Sequence, residues 1–552
     1  MPVKIFSSLE KCFLDEDFSN KREYTKGSCL LNEKYHFTVG YAIGKECDDN
    51  RYFDFKVNSP IKDYINVYKI EHVPVHTPCY LNNKDENYLR TTPGLYPDLL
   101  LPIPENKKLV VSTNYESLYV EIDTKGEVKA GEYPIEIGFF GEDGIIWDSV
   151  VFTLEIIDAL LPEQELINTQ WLHCDCLQEY YKTESFDEQH WTIIENYISN
   201  AVKRGINMIL TPIFTPPLDT AVGGERKTTQ LVGVSVENGE YDFDFTLLDR
   251  WVELCDRLGV KYFEISHFFT QWGAAHAPKI MATVNGEYKK IFGWETDAGG
   301  EEYKEFLEAF IPEFIAFMKL KNSADKRCWF HVSDEPKMED MEQYRASYNI
   351  VKNLLKGYPI IDALSDYEFY KEGIVTRPIS SNDHIEIFLE NKVPDLWTYY
   401  CCIQTKKVSN RFIAMPSARN RIIGLQMYKF DIKGFLHWGY NFYNTQYSYS
   451  SLNPYSRTDG ENFVPSGDAF VVYPAPNGMP YESLRYLVFE EALQDMRAFA
   501  LCEMLCGREK VIEILEDGIA PITFNKYPHS EEWLLDLRER INQQIKQSCN
   551  NI

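Results

Sequence analysis

No stretch of the chain approaches the roughly 18 consecutive apolar residues of a membrane-spanning helix. The N-terminal run Met1-Pro2-Val3-Lys4-Ile5-Phe6-Ser7-Ser8 reaches charge before any apolar core of secretory-leader length. Basic side chains are scarce: 56 Lys and Arg stand against 84 Asp and Glu in 552 residues, a net charge of -28. A phosphate backbone needs clustered cations, so no nucleic-acid partner is expected. Neutral substrates, or solubility alone, fit the acidic balance. The 13 Cys form no CxxC pair, since Cys174-Cys176, Cys401-Cys402 and Cys502-Cys506 are wrongly spaced. Reduced thiols in a cytoplasm are the expectation. No HExxH, EF-hand or zinc-spaced cluster is present, so no metal or other cofactor is expected. Gly233-Val234-Ser235-Val236-Glu237 lacks the closing glycine of a nucleophile elbow.

What is present falls into two patterns. Short β-branched and aromatic segments, punctuated by Gly, Pro, Asn and Asp, occupy the first third: Tyr64–Ile70, Lys108–Thr113, Leu118–Ile122 and Val150–Ile156. Gly131–Phe139 alternates as a half-buried strand does. Residues 1–157 are expected to form an N-terminal β-sandwich. From 158 to 552 strand-like runs alternate with helical ones. The strands are expected at Asn168–Cys174, Asn207–Phe214, Lys261–Phe269, Arg327–Ser333, Pro359–Ser365, Asp395–Cys401, Gly434–Trp438 and Phe470–Tyr473. Helical spacing marks Glu188–Arg204, Phe245–Leu258 with Gly259 as its stop, Glu301–Lys319, Met338–Lys356, Ala418–Lys429 and Leu484–Leu505, with a short helix near Ile385–Asn391. Eight such units predict a (β/α)8 barrel followed by C-terminal helices. A doubly wound sheet is the competing fold, but the chain has no GxGxxG or GxxxxGK loop to give it a nucleotide.

In a barrel the chemistry sits where strands end. Those ends carry Thr211 to Asp219, His267 to Gly273 with Trp272, Asp334 and Glu335, Asp366, Trp397 to Tyr400 with Tyr399, and His437 to Asn441 with Trp438 and Tyr440. Acids, amides and aromatics together suit a sugar, whose ring stacks and whose hydroxyls take directed hydrogen bonds. Each aromatic taken alone is as readily a core residue. The expected sugar contacts from these ends are His267, Trp272, Asp366, Trp397, Tyr399, His437, Trp438, Tyr440 and Asn441.

Asp334-Glu335-Pro336 is the sharpest signal. Adjacent carboxylates repel, so one holds its proton more readily, as a general acid must. Pro336 is expected to keep Glu335 extended. A helix N-terminus would also favour acids and proline there. Consecutive Cα atoms are only about 3.8 Å apart, whereas an ordinary retaining glycosidase sets its carboxyls about 5–5.5 Å apart across the scissile bond. If both residues act, the nucleophile can instead belong to the substrate: the oxygen of a 2-acetamido group. Glu335 would then protonate the leaving oxygen, and Asp334 would hold the acetamido N–H.

Several separate runs resemble glycoside hydrolase family 123, a barrel also catalogued as a domain of unknown function. They are Gly205-Ile206-Asn207-Met208-Ile209-Leu210-Thr211-Pro212, Thr215-Pro216-Pro217-Leu218-Asp219, His267-Phe268-Phe269-Thr270-Gln271-Trp272-Gly273, Ser333-Asp334-Glu335-Pro336, Gly434-Phe435-Leu436-His437-Trp438-Gly439-Tyr440, and Gly467-Asp468 through Tyr473-Pro474 to Ser483-Leu484-Arg485. Asn207, in the first run, joins the expected sugar contacts. The resemblance implies a β-sandwich, a (β/α)8 barrel and exo-acting, retaining β-N-acetylgalactosaminidase activity on glycosphingolipid-type oligosaccharides. It also implies that Asp334 orients the acetamido group and Glu335 is the acid/base. It is poorest at Glu490–Arg497. Two other functions stay open: an ordinary retaining glycosidase with Asp366 as nucleophile, and a non-catalytic carbohydrate-binding protein.

Overall fold

The computed structural model describes residues 3–42, 52–104, 108–110, 112 and 114–550. The N-terminal region is β-rich. One five-stranded sheet runs in the order Val3–Ser7, Lys34–Tyr41, Glu116–Asp123, Ile65–Val75, Gly94–Pro102. A second runs Lys26–Leu30, Ile146–Ile157, Gly131–Gly141, Tyr52–Asn58, Leu109–Val110. The strand expected at Lys108–Thr113 lies partly outside the described residues. Alternation decides which side is dry: Ile135, Ile137 and Phe139 point inward from the second sheet and meet Phe37, Val39, Val120 and Ile122 of the first. Phe37 stacks on Phe152 across this core, with ring centroids 4.4 Å apart.

Beyond it, eight parallel strands form a nearly closed barrel: β1 (Ile167–Gln170), β2 (Met208–Thr211), β3 (Tyr262–Ile265), β4 (Cys328–Phe330), β5 (Ile361–Leu364), β6 (Arg377–Ser381), β7 (Trp397–Tyr399) and β8 (Gly434–His437). Hydrogen bonding runs β4-β3-β2-β1-β8-β7-β6-β5. The seam between β4 and β5 narrows to a single bridge, with Phe330 N donating to Pro359 O at 3.0 Å. Apolar residues fill the interior, among them Met208, Leu210, Ile361, Ile379, Trp397 and Leu436. At Gly434 any side chain would strike the Trp397 ring, which lies 2.0 Å from where a Cβ would stand.

Helices cover the outside, each for a readable reason. Glu188–Lys203 starts where Asp187 accepts from His190 N at 2.7 Å. Thr246–Leu258 stops at Gly259, whose φ of 84° is the left-handed value glycine tolerates. Glu301–Leu320 buries Tyr303, Phe306, Phe310 and Phe314 at three- and four-residue spacing. The helix expected over Met338–Lys356 is shorter, a single turn at Met338–Asp340 followed by Met341–Val351. Among the described residues no helix is long and apolar enough to cross a membrane.

Two strands differ from the sequence reading. Arg377-Pro378-Ile379-Ser380-Ser381 is β6, although its one apolar residue besides proline gives a weak pattern; it is buried on both faces by the barrel. The expected eighth strand, Phe470–Tyr473, is not in the barrel. There Val472–Pro474 pairs with Pro480–Glu482 in a separate hairpin, and Gly434–His437 is the eighth strand. Gly233–Glu237 is an inner strand of a small four-stranded sheet built from the segments after β2 and β3, paired with Glu240–Asp244 and Ile280–Val284.

The β-rich region is joined to the barrel by buried ion pairs. Arg204, fully buried, donates to Glu482 at 2.6 Å, Glu490 at 2.6 Å and Glu121 of the first sheet at 2.5 Å. Arg485 clasps Asp98 at 2.8 and 2.9 Å, and Arg538 clasps Glu33 at 2.7 and 2.8 Å. Burial alone would push His36 down, yet its carboxylate neighbours Glu121 and Glu491 hold it up at about 9. Glu490, Glu491, Gln494 and Asp495 all serve this seam.

Candidate active site

A cavity of about 190 Å³ opens where the barrel strands end. Its wall comes from the segments after seven positions of the sheet: Trp171 and His173 after β1, Leu218 and Asp219 after β2, Gln271 and Trp272 after β3, Asp334 and Glu335 after β4, Ala363 on β5, Tyr399, Cys401 and Cys402 at β7, and Leu436, Trp438, Gln446, Tyr447 and Phe463 at and beyond β8. Polar groups are few and aromatic surface is large, the composition of a small-molecule site.

The acidic pair is fastened on both sides. Trp272 N donates to Asp334 O at 3.0 Å, Glu335 N donates to Ala363 O at 3.1 Å, and the Ser333 hydroxyl donates to Thr270 O at 2.8 Å. Glu335 has a φ of 44°, in the left-handed region, not the extended conformation expected before Pro336. A non-glycine residue so placed costs on the order of 1–3 kcal/mol and persists only where its surroundings over-determine it. Asp219 (39°), Trp272 (57°) and Tyr447 (59°) share this feature, so the cavity wall concentrates backbone strain.

Burial pushes the Asp334 carboxyl well up, and the adjacent Glu335 pushes it further. Burial also raises Glu335, partly offset by Tyr399, whose hydroxyl donates to Glu335 Oε1 at 2.6 Å. The two interact closely enough to titrate as one unit rather than as separate groups. Asp219 is also raised by burial, to about 6.

Beneath the pair lies a buried charge relay. His331 donates to Glu264 at 2.7 Å and to Asp362 at 3.1 Å, which hold it up at about 9 against its burial. Glu264 also accepts from the Trp171 indole at 2.8 Å. His267 stacks on His331 at 4.2 Å and is driven well down by burial and by that cation. His267, His331 and Asp362 are close enough to be weighed as metal ligands. They fit poorly, because both His331 nitrogens are already taken by the carboxylates of Glu264 and Asp362. The other such group, His36, Glu121 and Glu490, is occupied by the Arg204 guanidinium.

On the opposite wall the Trp438 indole donates to Asp468 at 2.9 Å. Burial raises Asp468 to about 7. His173 accepts from Arg226 on Nδ1 at 3.1 Å and donates from Nε2 to Trp438 O at 2.8 Å, which fixes its tautomer. Burial and Arg226 push it down to about 3, so it is neutral.

Of the expected site residues, Asp334, Glu335, Trp272, Tyr399 and Trp438 line the cavity. Three stand one layer behind. Asn441 accepts from His173 N at 2.8 Å, His437 accepts from Arg411 at 2.7 Å, and His267 backs His331. Four lie elsewhere. Asn207 caps the start of β2, accepting from Asn168 N at 2.8 Å and donating to Leu166 O at 2.9 Å. Trp397 begins β7 and packs on Trp329 in the barrel floor, centroids 5.2 Å apart. Tyr440 faces outward to Tyr197 O at 3.0 Å. Asp366 starts the turn before the helix Glu368–Lys371 and does not line the cavity. The sequence reading passed over Trp171 and His173, though they follow β1 as Asp334 follows β4. Tyr447, Phe463 and Asp468 come from the long segment after β8, where no periodicity marks them. A segment of the β-rich region braces that wall, Tyr80 donating to Phe463 O at 3.4 Å.

The sequence model described as glycoside hydrolase 123, catalytic domain, matches residues 171–502. No curated protein matches the chain. Among solved structures, a family 123 glycoside hydrolase from Clostridium perfringens, studied for glycolipid glycan hydrolysis, aligns with 100% of this chain and 98% of its own at 15% identity and a TM-score of 0.73. That likeness is one of fold. A Parabacteroides merdae beta-glucuronidase (11% identity, 84% of this chain and 50% of its own, TM-score 0.31) and a Thermotoga petrophila endo-beta-1,4-mannanase (12%, 61% and 78%, 0.34) match too loosely to inform the site.

Proposed function

Since the chain belongs to glycoside hydrolase family 123, we propose that it removes terminal β-linked N-acetylgalactosamine from glycosphingolipid-type glycans, with retention, through an oxazoline formed by the substrate itself. The observation that carries this reading is the adjacency of Asp334 and Glu335 on one side of the cavity. Neighbouring residues on one segment do not flank a sugar from both faces, as a two-carboxylate mechanism requires.

The mechanism needs one proton on the pair, and burial raises both carboxyls while Glu335 raises Asp334 further. An acetamido N–H donated to Asp334 favours the ionised form there, and His331 beneath adds its positive charge. The proton then resides on Glu335, which passes it to the leaving oxygen while the acetamido oxygen attacks the anomeric carbon. Asp334 balances the oxazolinium charge. Glu335, now a carboxylate, takes a proton from the water that opens the ring, and two inversions give retention. Trp171, Leu218, Leu436 and Trp438 supply apolar surface for one sugar ring. The C. perfringens relative's glycolipid substrate supports the glycan class. The same proposal takes residues 1–157 as a β-sandwich domain and 158–552 as the catalytic (β/α)8 barrel with its C-terminal helices. The free thiols fit a reducing compartment, the cytoplasm.

Four 4-nitrophenyl β-glycosides, galacto and gluco, with and without the 2-acetamido group, test the reading. Only the acetamido pair should be cleaved, galacto faster. One specific observation keeps a second reading open. Asp219 is the other carboxylate in the wall, a better-placed nucleophile than Asp366 for an ordinary retaining mechanism. Cleavage of sugars with a plain 2-hydroxyl, and a 2-fluoro sugar trapped as an ester on Asp219, would establish that reading instead.

A further inference from the structure

The aromatic surface of the cavity does not stop at its rim. Trp272 and Tyr447 both line it, and their rings meet edge-to-face at 5.8 Å and 85°. Tyr447 meets Tyr449 in the same manner at 6.0 Å and 84°. Tyr449 is outside the cavity and 74% exposed, and Trp272 is 38% exposed. A single exposed aromatic needs no explanation. Three in a row, leading from an enclosed site into solvent, are different.

The backbone that presents them is held, not loose. Trp272 N bonds to Asp334 O at 3.0 Å, tying the first ring to the acidic pair. Tyr447 N bonds to the Asp219 carboxylate at 3.0 Å, and the Ser448 hydroxyl bonds to Asp219 O at 2.8 Å. The loop closes on itself through the Asn444–Ser451 bridge and Thr445 N to Ser450 O at 2.9 Å. Trp272 and Tyr447 take left-handed φ values to do this. Rings displayed on pre-ordered backbone lose little entropy when a ligand lies on them.

Resting on the glycosidase reading above, we propose that Trp272, Tyr447 and Tyr449 form a track for the leaving-group side of a neutral oligosaccharide, on which successive sugar rings stack outward from the scissile bond. Each centroid step is on the scale of one ring. A pyranose offers an apolar C–H face to an aromatic surface, and no cationic side chain lies among these three to select a charged sugar. Trp272 takes the ring next to the scissile bond and Tyr449 the one beyond it.

The test compares two substrates in the full-length protein. One is 4-nitrophenyl N-acetyl-β-galactosaminide; the other is a neutral tetrasaccharide with a terminal β-linked N-acetylgalactosamine. In Tyr449→Ala the ratio of kcat/KM, tetrasaccharide over aryl glycoside, should fall roughly fivefold, the scale of one lost aromatic contact. The leaving trisaccharide should inhibit the variant more weakly than the wild type by a similar factor. Tyr449 is exposed, so the melting temperature should not change. An unchanged ratio with unchanged inhibition overturns the track. If the wild type cleaves neither substrate, the catalytic reading fails by itself. The track is then judged by calorimetric titration of the trisaccharide, where equal binding to both proteins, or none, overturns it.

Discussion

Replacing Asp334 with Asn removes one charge and almost no volume, so it isolates what that charge does. Asp334 is part-buried beside Glu335 and above the His331 cation. Two opposite charges about 4 Å apart attract by about 4 kcal/mol at an effective dielectric of about 20. An oxazolinium nitrogen hydrogen-bonded to Asp334 would sit at about that separation. Every 1.36 kcal/mol is tenfold in rate, so Asp334→Asn should lower kcat by about three orders of magnitude. The ground state carries no such charge, so KM should change far less. The substitution also removes the negative neighbour of Glu335. The alkaline limb of the pH–rate profile should therefore move to lower pH, because Glu335 gives up its proton more easily. Stopped assays with aryl glycosides of graded leaving-group ability provide the check. A better leaving group should not rescue the variant, because the missing charge balances the ring and not the departing oxygen. A loss under tenfold, or recovery with 4-nitrophenyl or 2,4-dinitrophenyl substrates, would refute the assignment.

Glu335→Gln should behave oppositely: nearly inactive on oligosaccharides but much less impaired on activated aryl glycosides, which need little protonation; equal losses on both would count against it as the acid. Trp438→Ala should raise KM and leave the barrel folded, since the ring is a cavity wall held by Asp468; a collapsed melting transition would assign it to the core. Thermal stability should fall from neutral to alkaline pH. His36 is raised to about 9 from 6.5, so its contribution is full below about pH 6.5 and lost as pH rises through 9. A shift of that size is on the order of 3 kcal/mol. His36→Gln should flatten part of this slope in calorimetric scans between pH 6 and 9, and an unaltered slope would refute the account.

The elements with strong patterning were the legible ones. Gly131–Phe139 alternates because one face is wet, and Glu301–Leu320 shows its stripe because one side meets the barrel. β6 carries Arg377, Pro378, Ser380 and Ser381, and a strand that is buried on both faces yet rich in polar side chains leaves no alternation to find. Missing it shifted the count and drew Phe470–Tyr473 into the barrel. At the site, the pair Asp334-Glu335 stood out because acids directly after an apolar strand are unusual. Trp397 stands at the end of a strand only if the strand is taken as starting at Asp395, whereas β7 begins at Trp397; Asn207 comes from the family-like run and precedes β2. The left-handed φ of Glu335 was invisible locally: it goes with a hydrogen bond from Glu335 N to Ala363 O, on the next strand.

Three buried arginines have a consequence for how the chain is made. Glu33, Asp98 and Glu121 precede the barrel in the chain, and each ends up buried. Their partners, Arg538, Arg485 and Arg204, are translated later, Arg538 in the last helix. Until those residues emerge, the early sheets must keep their carboxylates in water, because an enclosed charge without a partner is heavily penalised. The N-terminal sheets therefore reach their final packing only once the helix carrying Arg538 has been made. Nascent chains arrested shortly before Arg538 should remain open to protease along the face that Glu33 occupies, while chains extended past that helix should not.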